Sequence, residues 1–232
     1  MRTFSILACA AGMAVAGCAE PSQAQTAERW VVKGRVVDEQ GRPVARAKIL
    51  ADNELLYNSY ASGTTDANGN YRIMLPHIHV TWNASGKAMR MVGGERIETD
   101  LAPDDEDSFA GNQGAVRNFT LRTSGMKADG SGSSYGASVI VYTPIMSGVD
   151  TRQVQLKFEP LDGGAPFTGT PVSTGDGDAI KGVAVNRYRI SATLGGRPLG
   201  IRVRNQGGYG RSVEPQFTRI MSSLYQLELE VK

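Results

Sequence analysis

The stretch WVVKGRVVDEQGRPVARAKILA, residues 30–51, decides the fold. Side chains on an extended strand alternate between its two faces, so Trp30, Val32 and Val36 fall on one face, with Gly34 between them. Residues 38–43 read as a turn, in which Gly41 permits positive φ and Pro43 fixes the return of the chain. Ala45, Ala47, Ile49 and Ala51 are then expected to face inward while Arg46 and Lys48 face water. A second stretch, TTDANGNYRIML at residues 64–75, repeats the device. Asp66 and Asn68 are placed to accept from turn amides, Gly69 supplies the permissive backbone, and Tyr71, Ile73 and Leu75 resume the buried face.

The same two-residue period continues to the end of the chain. Val154, Leu156 and Phe158 alternate with Gln155, Lys157 and Glu159; Tyr225, Leu227, Leu229 and Val231 alternate with Gln226, Glu228, Glu230 and Lys232. Such strands bury one face and wet the other, and the 28 glycines and 10 prolines punctuate them as short turns require. The pattern predicts an all-β protein of two antiparallel β-sandwich modules, transthyretin- or immunoglobulin-like. Residues 30–124 form the first and 135–232 the second, and residues 125–134, GMKADGSGSS, are a linker without apolar pattern. A long hairpin loop within one larger sandwich is the competing reading of that segment.

Gly34-x-Val36-x-Asp38-x-x-Gly41-x-Pro43-Val44-x-x-Ala47-x-Ile49, followed by Thr65-Asp66-x-x-Gly69-x-Tyr71, resembles the carboxypeptidase regulatory-like domain. The resemblance is specific over residues 30–75 and extends to about residue 122. It implies a transthyretin-like sandwich, related to starch-binding-like folds, that acts as an accessory module and holds no zinc. A zinc-carboxypeptidase pattern, His-x-x-Glu with a distant His, does not occur, so no peptidase activity is expected. In the second module KGVAVNRYRISATL, residues 181–194, is a fainter echo of a related sandwich motif, with Asn186 at a position that tolerates left-handed backbone.

The front of the chain speaks to location. Residues 1–17 place one arginine before an apolar run from Phe4 to Ala16, the layout of a secretory signal peptide and too short for a permanent span. Val15-Ala16-Gly17-Cys18 is similar to a bacterial lipobox, which implies cleavage before Cys18 and its modification by a diacylglycerol thioether and an amide-linked acyl chain such as palmitate. An ordinary signal cut near Ala24 is the alternative. Two or three acyl chains anchor stably where one does not. Ala19 departs from the aspartate that resembles an inner-membrane retention signal, which favours the outer membrane. Residues 18–29, small and polar after the cysteine, read as the lipidated tether.

With Cys9 removed and Cys18 acylated, no thiol is left for a disulfide, a metal or catalysis. The 25 Lys and Arg nearly balance the 23 Asp and Glu, so no nucleic-acid partner is indicated. No cofactor is expected. The partners indicated are the membrane, through the lipid, and an envelope protein or glycan.

Candidate sites are few. His77 and His79, the only histidines, form an H-x-H pair expected on the wet face of a strand whose buried phase is Ile78, Val80 and Trp82; with a third ligand they would take zinc or copper. Asp104, Asp105, Glu106 and Asp107 offer carboxylates for calcium, or form a solvated loop. Residues 132–136, GSSYG, match G-x-S-x-G in form but lack the strand–helix context that hydrolase chemistry needs. In the second module a hairpin pairing Leu194 with Leu199 would set Arg189 opposite Arg204 and Ser191 opposite Arg202. Like charges across strands need a counter-ion, supplied by an anionic ligand or partner, or by Glu228 and Glu230. Tyr57, Tyr60 and Tyr209, in loop-like surroundings, are the candidates for stacking on sugars, while Trp30 and Trp82 sit in core phase. The function expected is non-catalytic contact at the cell envelope, with carbohydrate binding and a hydrolase as alternatives.

Overall fold

The computed structural model describes residues 25–127 and 130–232; the leader, Cys18 and the start of the tether lie outside them. The first half of the chain forms β1 (Val31–Asp38), β2 (Lys48–Asn53), β3 (Tyr60–Thr64), β4 (Asn70–Met74) and β5 (Thr81–Val92). It continues with β6 (Glu95–Asp100), β7 (Ala102–Pro103), β8 (Phe109–Ala110), β9 (Ala115–Val116) and β10 (Phe119–Leu121). One sheet runs β4-β1-β10-β7 with β9 also beside β1, and the other β3-β2-β5-β6 with β8 beside β5. Val32, Val36, Tyr71, Ile73 and Phe119 from the first sheet close on Ile49, Ala51, Trp82, Ala84 and Ala88 from the second. Trp82 is fully buried, and small alanines make room for it, as close packing of unequal side chains requires.

The second half forms β11 (Ala137–Tyr142), β12 (Val154–Pro160), β13 (Phe167–Gly169), β14 (Val172–Thr174) and β15 (Gly177–Val183). It ends with β16 (Tyr188–Leu194), β17 (Arg197–Leu199), β18 (Ile201–Val203), β19 (Thr218–Met221) and β20 (Leu224–Val231). Its sheets run β14-β15-β11-β20-β18, with β19 on β20, and β13-β12-β16-β17. Here the core is mostly branched aliphatic: Val139, Val141, Leu227 and Leu229 meet Val154, Leu156 and Ile190, with Phe158 among them. Each such side chain contributes about 1.5–3 kcal/mol by leaving water. The all-β, mainly antiparallel double sandwich expected from the alternation is the fold observed. Among the described residues no helix is long and apolar enough to cross a membrane.

Both sandwiches depart from pure antiparallel pairing in the same way. β1 lies parallel to β10, and β11 parallel to β20, so each sandwich sets its first strand beside its last. A chain built so enters at one end of the sandwich and leaves at the other. The Trp30 amide donates to Gly111 O, and the Glu54 amide to Thr81 O, which puts the start of β1, the start of β5 and the β2–β3 turn at the entry end. At the exit end the β5–β6 turn lies against Arg187 of the second sandwich. Between the two, Ile97 packs with Ala137, Val185 and Tyr225, and the Tyr225 hydroxyl accepts from the Glu98 amide at 3.0 Å.

Gly34 has a specific task. A Cβ there would stand 1.8 Å from the carbonyl oxygen of Arg117, which crosses the strand to accept from the Tyr71 hydroxyl at 2.6 Å. Both turns form where expected, and an aspartate holds each. Asp38 Oδ1 accepts from the amides of Gln40 and Arg42, and Asp66 Oδ1 from those of Asn68 and Asn70. Asp66 alone, not Asn68, carries that turn.

Four local expectations are corrected. Arg46 takes φ 58°, which breaks the alternation, so Ala45 is exposed and β2 begins only at Lys48. Trp30, with φ 60°, is half-buried and stands outside the core. Residues 76–80 are not a strand, and Ile78 is exposed. Gly195 and Gly196, both at positive φ, close a two-residue turn that pairs Leu194 with Arg197 and Ala192 with Leu199. After Leu199 the chain switches sheets, so β18 pairs with β20 and not with β16.

Segment 125–134 is tied down at its described residues. The Lys127 amide donates to Ser133 O, that of Gly125 to Gly182 O, and that of Tyr135 to Gly125 O.

Candidate functional site

The sheet switch at β18 dissolves the predicted arginine patch. Arg202 and Arg204 lie on β18 and beyond it, while Arg189 lies on β16 in the other sheet. Arg202 Nη2 donates to both carboxylate oxygens of Glu230, at 2.9 and 3.0 Å. Arg204 Nη1 donates to Glu228 Oε2 at 3.2 Å, and its guanidinium covers the Tyr142 ring at 3.5 Å from the centroid. Arg189 is paired with Glu214 at 2.8 Å. The counter-ions are therefore internal.

Tyr209 closes this network. Its ring is flanked by Arg202 and Lys232, at 4.6 and 4.1 Å, and its hydroxyl donates to Glu230. The hydroxyl of Tyr209, then Arg202, hold the Glu230 carboxyl below the usual carboxylate range. Burial and the Glu230 carboxylate raise the Tyr209 hydroxyl. With two cations against its ring and its hydroxyl on Glu230, Tyr209 is engaged within the chain, unlike the exposed Tyr57 and Tyr60.

The acidic loop is organised in the same manner. Asp104 accepts from the backbone amide and the side-chain amide of Asn118, both at 2.9 Å. Asp105 pairs with Arg117 at 2.7 Å, and the Asp107 carbonyl accepts from the same guanidinium at 2.8 Å. Arg117 is buried, and the Asp105 carboxylate and the Asp107 carbonyl hold it. Among the described residues no three His, Cys, Asp or Glu side chains gather closely enough to hold a metal.

His77 and His79 are both exposed and both touch Trp30, the first stacked at 4.9 Å between ring centroids and the second edge-on at 5.4 Å. They brace an indole that alternation had assigned to the core. Tyr57 and Tyr60 do stand exposed, on the β2–β3 turn and the first residue of β3. Beside them are two residues the sequence reading passed over, Leu55 and Leu56, both exposed. The legible sign was three consecutive apolar residues, Leu55-Leu56-Tyr57, between Glu54 and Asn58, where a turn would be polar.

A third missed residue is Arg90. It lies at the junction of the sandwiches, lining a recess with Thr123, Tyr135 and Val185, and burial lowers its pKa from the usual arginine value. Its Nε donates to Thr99 Oγ1 at 3.2 Å. A larger cleft of about 660 Å³ lies alongside, between Ile97 on one sandwich and Tyr188, Glu214 and Phe217 on the other.

These features can be set beside known proteins. Residues 31–103 match the carboxypeptidase regulatory-like domain. The match ends at Pro103, before β8, β9 and β10 complete the sandwich. No curated protein matches the chain. Among solved structures, the Bacillus anthracis TIE protein is similar at 12% identity and a TM-score of 0.32, over 87% of this chain and 34% of that one. A streptococcal ancillary pilin follows at 12% identity and a TM-score of 0.27, over 85% and 61%. The C-terminal fragment of the pilus adhesin SpaC from Lactobacillus rhamnosus GG follows at 12% and 0.26, over 88% and 97%. The chain thus spans about a third of the TIE protein and about three-fifths of the pilin.

Proposed function

We propose that this protein is a non-catalytic, lipid-anchored module of the bacterial cell envelope, held at the outer membrane through Cys18, whose sandwiches work by contact. The observation that carries the reading is where the ionisable candidates have gone. Arg189, Arg202 and Arg204 are matched by Glu214, Glu230 and Glu228. Asp104 and Asp105 hold Asn118 and Arg117, and the histidines rest on Trp30. The arginines and aspartates engaged in this way brace the scaffold, which favours work by contact over catalysis. The match of residues 31–103 to an accessory type of domain supports the same reading, as does the small-residue run before Cys18.

The test is the mature protein from membranes. Mass spectrometry should find an N-terminal acylated Cys18, and Cys18→Ser should release the protein from the membrane fraction. An unmodified terminus beyond residue 18 would remove the anchoring. Labelling of Ser134 by a serine-directed fluorophosphonate would remove the non-catalytic assignment. Crosslinking in intact cells, read by mass spectrometry, identifies the envelope protein or glycan that the sandwiches touch.

A further inference from the structure

We infer that the entry end of the first sandwich is a membrane-contact surface, whose β2–β3 turn sets Leu55, Leu56 and Tyr57 into the headgroup layer of a phospholipid bilayer. The inference rests on the anchored reading above and adds to it a second point of attachment.

One group of exposed apolar side chains stands at this end, as others do after β11, at Ile145 and Met146, and on β5, at Met89 and Met91. Leu55 is 74% exposed, Leu56 49% and Tyr57 102%, with Tyr60, Met74 and Ile78 exposed beside them. All belong to the end where the chain enters. Met74 pairs with Val31, Tyr60 with Asp52, and the Leu75 amide donates to Trp30 O just before Ile78. The turn is held in this exposed form. Asn53, itself only 5% exposed, accepts from the amides of Leu55 and Leu56 through its side-chain oxygen, at 2.9 and 3.1 Å. Its own amide donates to Ser59 O, closing the turn. A buried polar side chain thus fixes two leucines in water, where each forgoes about 1.5–3 kcal/mol of burial. Leucine beside tyrosine suits the boundary between headgroups and acyl chains, where aromatic side chains concentrate.

The bilayer is the occupant that the covalent geometry brings to this surface. The twelve residue steps from Cys18 to Trp30 reach at most about 43 Å when fully extended. β5 alone, twelve residues, spans about 40 Å. An anchor at Cys18 therefore holds the entry end within about 43 Å of the lipid, and the entry end is the part of the sandwiches nearest to it along the chain. Tethering turns a weak contact into an intramolecular one with a high effective concentration. Charge sets the lipid preference. The apolar tip carries none, and its neighbours Asp52 and Glu54 are acidic and exposed, so contact does not call for anionic lipid.

The experiment uses the full acylated protein reconstituted in phosphatidylcholine vesicles whose acyl chains are brominated, a short-range quencher of indole emission. A Tyr57→Trp variant should show added emission that the brominated lipid quenches, equally with and without phosphatidylglycerol. A triple variant, Leu55→Ser with Leu56→Ser and Tyr57→Ser, should still float with the vesicles and keep its circular dichroism. Crosslinking to lipid at Tyr60 should fall to background in it. Protein that lacks acyl chains and does not float overturns the anchored reading and this inference together. Acylated protein that floats but leaves the indole of the Tyr57→Trp variant unquenched overturns this inference alone. So does protection of that indole by a soluble glycan, or crosslinking of residues 55–57 to a second copy of the chain.

Discussion

The two sandwiches solve the same problem with different ladders. In the second, β11 and β20 run parallel in unbroken register from Ser138↔Gln226 to Tyr142↔Glu230. In the first, the partner of β1 is split into β9 and β10, and the break falls at Arg117 and Asn118. There the Arg117 carbonyl turns over Gly34 to reach the Tyr71 hydroxyl, and the side-chain oxygen of Asn118 accepts from the Arg35 amide at 3.0 Å in place of a backbone group. One ladder depends on regular packing, the other on a few particular residues. A fold that concentrates its stability in named contacts leaves a motif in the sequence, whereas one that spreads it over apolar pairs leaves only a rhythm.

The sharpest way to break this comparison is Gly34→Ala. The added carbon meets a backbone oxygen that no rotamer change can move, so the cost should exceed about 3 kcal/mol. Thermal unfolding should lose the transition of the first sandwich and keep that of the second. Leu156→Ala is the counterpart in the regular core, expected to cost about 2–5 kcal/mol and to lower only the second transition. If both variants shift one common transition, the packing of Ile97 against Tyr225 couples the two halves more strongly than their separate cores suggest.

Smaller effects sharpen the contrast. Tyr71→Phe leaves the Arg117 carbonyl without its hydroxyl donor, and Asn118→Ala leaves the Arg35 amide without its acceptor; each should cost about 1–3 kcal/mol by chemical denaturation. The β11–β20 ladder has no matching break. The smallest effect is electrostatic and sits at the junction. Lys87, then Ser222 and Arg219, hold the Glu98 carboxyl below its usual range, and two of these three donors belong to the second sandwich. A carboxylate lowered on folding stabilises fully above its unfolded pKa and loses that contribution as pH falls through the folded one. Acidification below about pH 4 should therefore loosen the junction by less than about 1 kcal/mol. Glu98→Gln should remove the pH dependence of that loosening, measured by hydrogen exchange at the Glu98 amide.

Much of the framework could be read from the chain because one-sided burial imposes a period of two. Val154, Leu156 and Phe158, or Tyr71 and Ile73, had no other way to meet a core. The turn after Asp38 was legible from Gly41 and Pro43, and the Asp66 turn because a short side chain must satisfy amides within its own reach. What alternation cannot carry is any pairing that depends on distant chain. The parallel match of β1 with β10 joins residues more than eighty positions apart. The two-glycine turn is two residues shorter than the apolar pairing implied, and the sheet switch at Gly200 then separates Arg189 from Arg202 and Arg204. Trp30 misled for the opposite reason: its phase was right, but positive φ before β1 turned the indole out onto the histidines.

The parallel arrangement of first and last strands has a mechanical consequence. Tension applied between the two ends of either sandwich loads its ladder in shear, so that many hydrogen bonds must yield together instead of peeling singly. Resistance to such a pull is set by the height of the unfolding barrier, not by equilibrium stability. The continuous β11–β20 seam should then withstand more force than the interrupted seam of β1. Under strain the first sandwich would give way before the second, paying out length like a shock absorber while the second stays folded.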